Sequence, residues 1–284
     1  MTSVNTAKAC RLASGIALLM IAVSAPVDSA RATDLFDDFT TLRGTVSSGG
    51  PRWDGFQLGG HVGYVGAQTD FSSATRDGVQ RILRQSTLED EDRPSSWPVL
   101  GSKGNTGRSY GGFIGYNWQL DGIVVGVDAT YNYTAGITSE DGPATLRRIV
   151  TLSDGGVNDV TIRARASLTM HDYATLRARV GYPMGQFMPY AFLGAAVGRF
   201  DYSTRTTVRV VQDPAGTPSV YGPFTERERK PDAITAGVTT GLGVDIAILP
   251  NMYLRAEYEF NAFLELAGIL PITHTGKVGL GFRF

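Results

Sequence analysis

The chain has 284 residues, 26 Lys+Arg against 27 Asp+Glu for a net charge of −1, 42% hydrophobic and 10% aromatic residues, and one Cys. Near-neutral charge excludes a nucleic-acid binder of the basic kind, and the apolar and aromatic share excludes a disordered chain. Glycine, at 35 residues, exceeds the usual ~7% and is spread through aliphatic and aromatic stretches rather than pooled in linkers.

Residues 1–32 read as a secretory signal peptide. Lys8 and Arg11 precede the apolar run Leu12 to Ala25, and Pro26 leads to the small-residue site Ala30-Arg31-Ala32, the order of charged, apolar and cleavage regions that export requires. The run falls short of the ~20 apolar residues of a spanning helix. Cleavage is expected after Ala32. It would remove Cys10 and leave residues 33–284 without cysteine. Residues 33–52 read as a periplasmic N-terminal segment and 53–284 as the folded domain.

From there a period of two dominates, the signature of strands with two unlike faces. At 54–66 the apolar parity is Phe56, Leu58, Val62 and Tyr64; at 108–119 it is Tyr110, Ile114, Tyr116 and Trp118. At 123–135 Ile123, Val125, Val127, Ala129, Tyr131 and Tyr133 oppose a face with Gly126 and Asp128. At 167–182 Leu168, Met170, Ala174, Leu176, Ala178, Val180 and Tyr182 oppose Thr169, His171, Thr175, Arg177 and Arg179. At 187–202 the apolar parity is read as Met188, Tyr190, Phe192, Ala196, Phe200 and Tyr202, which turns Arg199 and Asp201 the other way. At 232–247 it is Ile234, Ala236, Val238, Leu242, Val244 and Ile246, opposite Asp245. At 252–263 Leu254, Ala256, Tyr258 and Phe260 oppose Arg255, Glu257, Glu259 and Asn261. At 273–284 Val278, Leu280, Phe282 and Phe284 oppose Lys277 and Arg283.

Eight such segments suit tilted strands of ~9–11 residues crossing a bilayer. Their connections alternate: 120–122, 183–186 and 248–251 are short, 67–107, 136–166 and 203–231 are long, and 264–272 is intermediate. Short turns on one side and long loops on the other predict an all-β fold, an eight-stranded antiparallel transmembrane β-barrel of an outer membrane. Aromatics at strand ends predict two interfacial girdles: Tyr131, Tyr133, Phe200, Tyr202 and Phe260 at the outer rim, and Trp118, Tyr182, Tyr190, Phe282 and Phe284 at the inner one. Leu280, Phe282 and Phe284 form a terminal aromatic strand of the kind the outer-membrane assembly machinery reads.

Eight strands leave a lumen that side chains can fill. The inward parity predicts a charge network of Asp128, Asp201, Asp245, Glu257 and Glu259 with Arg177, Arg179, Arg199, Arg255 and Lys277. Matched signs let buried charges pair, so a salt-bridged plug is expected, with lumen glycines making room for the long arginines. A narrow ion pathway is the competing reading.

The hairpin signals Ser153-Asp154-Gly155-Gly156 and Asp213-Pro214-Ala215-Gly216, flanked by alternating segments, predict two hairpins above the membrane; insertion of either would make ten strands. Glu89-Asp90-Glu91-Asp92 reads as a solvated acidic run, and Glu226-Arg227-Glu228-Arg229-Lys230 as a solvated rim that touches lipopolysaccharide phosphates. No catalytic residue and no metal site is expected. His61 reads as a satisfied lumen histidine, His274 as a residue at headgroup level, and His171 as the histidine placed to meet haem from a loop.

The run Gly111 to Gln119 (GGFIGYNWQ), then Val124 to Ala129, Thr175 to Tyr182 (TLRARVGY), Pro189-Tyr190, Gly241 to Asp245, Leu254 to Tyr258 and His274 to Phe284 resemble the strands of the alphaproteobacterial 25/31-kDa outer membrane proteins. The likeness covers the strands of 53–284, with Trp53 to Phe56 opening the first, and lapses in the loops. It implies a Gram-negative outer-membrane location and a porin-like barrel with an envelope-structural or surface-interaction role. The expected partners are outer-membrane lipid, lipopolysaccharide, the assembly machinery and a host or surface ligand met through the loops. A small porin or a haem-binding receptor is the alternative, haem being the one cofactor the resemblance implies. A barrel-embedded hydrolase or acyltransferase would need His, Ser and Asp to converge.

Overall fold

The computed structural model describes residues 51–120, 122–212 and 217–284. The expected signal peptide and most of the N-terminal segment lie outside these residues. Eight antiparallel strands close into a ring, each hydrogen-bonded to its sequence neighbours and β8 to β1. They are β1 (Gly55–Asp70), β2 (Ser102–Leu120), β3 (Ile123–Thr151), β4 (Val157–Gly181), β5 (Phe187–Gln212), β6 (Ser219–Leu249), β7 (Met252–Phe263) and β8 (Leu270–Arg283). Phe284 closes the seam: its N–H donates to Phe56 O at 2.9 Å and its carbonyl accepts from Phe56 N at 3.2 Å.

The strands are unequal. β3 to β6 run 25–31 residues, whereas β1, β2, β7 and β8 run 12–19. β2 pairs with β3 only as far as Tyr133, and β7 pairs with β6 only from Gly237. Beyond those points β3–β6 continue as a four-stranded wall at the long-strand end. The expected loops 136–166 and 203–231 are therefore mostly strand; the expected hairpin around Ser153 to Gly156 and the arms of the second, up to Gln212 and from Ser219, are the wall's upper part, while the expected turn Asp213 to Gly216 lies outside the described residues.

The wall's concave face is apolar, and the β1–β2 connection covers it. That segment folds into α1 (Arg76–Ile82), α2 (Thr87–Asp92) and a 3-10 turn at Pro94–Ser96. Its Val79, Leu83, Leu88 and Trp97 pack on Leu152, Val160, Ile162, Val208 and Val210. The acidic run is helix: Ser86 Oγ caps Glu89 N, Glu89 accepts from Ser95, and Glu91 accepts from Ser153 N and Oγ at 2.8 and 2.6 Å. In the stretch Glu226 to Lys230, which pairs with Tyr202 to Thr206 on β5, Glu228 turns inward to accept from Arg81 Nη2 at 2.9 Å and Tyr202 Oη at 2.8 Å, while Arg227 and Arg229 face out.

The predicted faces hold on β1, β2, β3 (to Tyr133), β6, β7 and β8, where the outward residues are large and exposed apolar side chains. Two strands require correction. On β5 the odd parity faces out: Phe187, Leu193 and Val197 are exposed, whereas Met188, Tyr190, Phe192, Phe200 and Tyr202 are buried. Tyr190 and Tyr202 thus leave the expected girdle, while Trp118, Tyr131, Tyr133 and Tyr182 are 37–58% exposed on the outer face. On β4 a bulge between Met170 and Asp172 reverses the parity. Ala174, Leu176, Ala178 and Val180 face out below it, and Leu168 and Met170 face in above it.

Candidate functional site

The interior is filled in successive layers, beginning at the short-turn end. Trp53, 1% exposed, closes that end; its backbone N–H donates to Gln119 Oε1 at 2.8 Å, and Arg283 is stacked 5.0 Å above its ring. Above it lie Phe113, Val124, Met188, Tyr190, Phe192, Ala247 and Tyr253.

The charge layer comes next, and its geometry follows from the register. Asp128 on β3 sits directly opposite Arg177 on β4. Arg177 Nε and Nη2 form a two-pronged contact with Asp128 at 2.7 and 3.0 Å, its Nη2 reaches Glu257 at 3.0 Å, and its Nη1 reaches Glu259 at 3.0 Å. Asp245 on β6 sits opposite Arg255 on β7. Arg255 clamps it at 2.8 and 3.0 Å, and Arg179 Nη2 adds a third contact at 3.0 Å. Lys277 Nζ lies 2.8 Å from Glu259. Two phenols and an amide supply further donors: Tyr190 Oη to Glu257 at 2.6 Å, Tyr173 Oη to Glu259 at 2.9 Å and Asn261 Nδ2 to Glu259 at 3.1 Å. Bidentate, charge-assisted contacts of this kind offset the desolvation of buried ions.

Of the predicted network, the structure brings together Asp128, Arg177, Arg179, Asp245, Arg255, Glu257, Glu259 and Lys277, four of each sign. Arg199 and Asp201 are outside it because β5 presents its odd face outward. Arg199 pairs with Asp172 and, at 3.4 Å, with Asp232; Asp201 lies 3.1 Å from His171 Nε2.

Aromatic rings complete the layer, and the sequence reading missed them. Phe113, Tyr190, Phe192 and Tyr253 each sit directly across from a glycine of the next strand: Gly59, Gly243, Gly241 and Gly281. A Cβ at Gly243 would lie 2.5 Å from the Tyr190 ring, and one at Gly281 would lie 2.3 Å from the Tyr253 ring. These four glycines therefore seat aromatic rings rather than arginines. The guanidiniums then stack on the rings: Arg177 over Phe192 at 4.2 Å, Arg179 over Tyr190 at 4.5 Å and Arg255 over Phe113 at 4.1 Å. Backbone, ring and cation form three tiers, adding cation–π attraction to each ion pair. The detectable signal was an aromatic on one strand facing a glycine on its neighbour, which requires the register.

Above the charges lies a belt of neutral polar side chains. His61 Nε2 is 2.8 Å from Asn132 Oδ1, and Asn132 Nδ2 donates to Thr130 at 3.1 Å. Asn261 Nδ2 donates to Thr273 at 3.2 Å. A second apolar layer follows, with Phe71, Leu168, Met170, Tyr173, Phe200, Phe263 and Ile269, and the wall and its cover continue from there. His274 sits on the outward face with Tyr258 Oη 2.7 Å from its Nδ1. Leu280, Phe282 and Phe284 are 47–76% exposed on the same outer surface.

A family model described as the outer membrane protein beta-barrel domain matches residues 16–284. The chain is 25% identical over 251 residues to the 31 kDa outer-membrane immunogenic protein of Brucella melitensis biotype 1, covering 82% of this chain and 84% of that protein. It is 27% identical over 168 residues to the 22 kDa outer membrane protein of Rhizobium leguminosarum bv. viciae, covering 58% of each. Among solved structures it is similar to Ail, the attachment invasion locus protein of Yersinia pestis, with 15% identity and a TM-score of 0.34 over 81% of this chain and 99% of that one. A closed eight-stranded ring with an apolar outer belt and a family match across nearly the whole sequence lead to one assignment: the chain belongs to the outer membrane protein β-barrel family and is an outer-membrane protein of a Gram-negative bacterium.

Proposed function

We propose that this protein is a closed, non-catalytic barrel that serves envelope structure and contact at the cell surface. The observation that carries this reading is the charge layer. The side chains of Arg177 and Glu259 are 0% exposed and those of Arg179 and Asp245 are 1% exposed, with apolar layers on both sides. Ions would have to break several buried pairs to pass, at several kcal/mol each. The wall supports the surface role. Its tip exposes Ile149, Tyr221 and Phe224 at 66, 53 and 55%, far from the lipid belt, and exposed apolar side chains at such a site are a contact surface for a host or surface ligand. Leu280, Phe282 and Phe284 serve as the assembly signal, and the chain matures by cleavage after Ala32, with residues 33–52 left in the periplasm.

The test is single-channel recording of purified protein in planar bilayers. A closed barrel gives no stable open level. A steady conductance that scales with salt would overturn the reading in favour of a small porin.

A further inference from the structure

The outer face of the wall carries a patch of arginines that folding does not explain. On β5 one parity runs unbroken from the lipid-facing Leu193, Ala195 and Val197 to Arg199, Asp201, Ser203, Arg205, Thr207 and Arg209, with Asp201, 3.1 Å from His171 Nε2, the one carboxylate in that stretch. Arg205 lies directly between Arg165 on β4 and Arg227 on β6. Like charges directly opposite on one sheet face repel, so this row costs stability in the protein alone. Arg163 and Arg209 extend it upward and Arg229 downward. Arg199, lower on the face, is paired with Asp172 and Asp232; of Arg163, Arg165, Arg205, Arg209, Arg227 and Arg229, only Arg165 has a carboxylate of the described residues within ion-pair distance, Glu140 at 3.0 Å. The nearby Glu228 is turned to the inner side of the wall and held there by Arg81. Hydroxyls fill the gaps: Thr207 and Thr225, 2.9 Å apart, and Ser203.

Height and direction identify the occupant. Val197, exposed, is the last apolar outward residue on β5 before Arg199. From there to Arg205 the strand advances about 27 Å at ~3.4 Å per residue, or roughly 19 Å above the hydrocarbon edge at a tilt of ~45°. The face continues the lipid-facing surface, so it looks sideways, along the membrane plane. Its neighbour there is the saccharide layer of the outer-leaflet glycolipid, not its acyl chains or headgroup. Guanidinium forks match phosphate groups, and interspersed hydroxyls match sugar hydroxyls.

We infer that the row Arg165–Arg205–Arg227, with Arg163, Arg209 and Arg229 around it, is a binding shelf for the phosphorylated core oligosaccharide of neighbouring lipopolysaccharide molecules. This rests on the outer-membrane placement and on the wall being extracellular, but not on the lumen being closed.

The test uses the full mature chain refolded in bilayer nanodiscs and titrated with core oligosaccharide released from lipopolysaccharide and freed of lipid A. The variants are R165Q/R205Q/R227Q and the inward-facing control E228Q. The shelf predicts saturable, salt-sensitive binding that weakens at least tenfold in the triple variant and on enzymatic removal of the phosphates, and that persists in E228Q. Equal binding by wild type and triple variant overturns it. Binding only of intact lipid A, or binding of a sulfated polysaccharide with no binding of the core oligosaccharide, also overturns it by placing the anion at the headgroup or in the external medium. Folding of the variants is checked by tryptophan fluorescence. Their bilayer conductance is a separate readout that bears on the closed lumen alone.

Discussion

Replacing Arg177 with Ala is the strongest perturbation the interior offers. Its side chain, 0% exposed, is shared by three carboxylates, those of Asp128, Glu257 and Glu259. After the change Glu259 keeps Lys277 at 2.8 Å, but Glu257 keeps only the Tyr190 phenol at 2.6 Å and cations at 3.9 and 4.0 Å. Asp128 keeps arginines no nearer than 3.6 Å. The layer falls from four cations against four anions to three against four. Breaking one buried pair by removing one partner costs about 3–5 kcal/mol, and the lost stacking on Phe192 acts in the same direction, at about 2 kcal/mol for a desolvated cation–π contact. The two overlap, so about 3–5 kcal/mol is the expected loss. The assay is urea unfolding of protein reconstituted in lipid vesicles, followed by fluorescence of the three tryptophans. They report three regions: Trp53 at the short-turn plug, Trp97 in the wall cover and Trp118 on the lipid face. R177K, which keeps the charge and loses the fork, should fall between R177A and wild type. R165A, whose guanidinium is exposed and paired with an exposed Glu140, should cost less than about 1 kcal/mol. A double-mutant cycle of R177A with D128N should show coupling of about 0.5–3 kcal/mol. R177A within about 0.5 kcal/mol of wild type, or no coupling to Asp128, refutes the argument that this layer is held by paired buried charge.

Two further outcomes are expected. G243A brings a Cβ to 2.5 Å from the Tyr190 ring and 2.6 Å from its hydroxyl, so it should destabilise by about 1–3 kcal/mol through overpacking; the same urea titration reads it. Glu228 gives a pH signature. The hydrogen bond from Arg81, then that from Tyr202, holds its carboxyl below the ordinary value of 4.5. A depressed carboxylate contributes fully above its unfolded value and loses that contribution as pH falls through the folded one. Hydrogen exchange in α1 should therefore be level from pH 8 to 5, apart from the intrinsic rate, and rise below about pH 4. Unchanged protection at pH 3 would show that Arg81 does not tie the helix to the wall.

The ring, its strand count and most of its faces were legible because six strands present one apolar and one polar or small face. β5 was misread for a physical reason. Phe187, Ala191, Leu193, Ala195 and Val197 are as apolar as Met188, Tyr190, Phe192, Ala196 and Phe200. A period of two cannot choose between two apolar faces. The tie-break, Arg199 and Asp201, belongs to the stretch above the lipid, where a charged residue faces out. Tyr190 and Phe192 go inward because Gly243 and Gly241 lie opposite them, a relation between strands that one strand's sequence does not carry. On β4 the extra residue at the bulge flips every position above Asp172, so Leu168 and Met170 were assigned to lipid while they fill the interior. The cover helices are seven and six residues long, too short to stand alone; their pattern makes sense only against the wall they cover.

That wall explains how the two ends of the molecule divide their work. An eight-stranded ring hides one face of every strand by closing on itself, but four strands rising without their neighbours reopen the problem and expose Val160, Ile162, Val208 and Val210 on a concave surface. The β1–β2 connection solves it with Val79, Leu83, Leu88 and Trp97. Once the concave face is covered from within, the convex face has no packing role left, and this is where Arg163, Arg165, Arg205, Arg209, Arg227 and Arg229 are found. The stretch Glu226 to Lys230 shows the division within five residues: the carboxylate of Glu228 secures the cover through Arg81, and the alternate positions Arg227 and Arg229 point away from it. Stability of the wall therefore rests on its inner face, and E228Q should loosen the cover while R227Q and R229Q leave it in place. If instead R227Q released α1 from exchange protection, the two faces would be coupled and the outer arginines would belong to the fold rather than to a ligand.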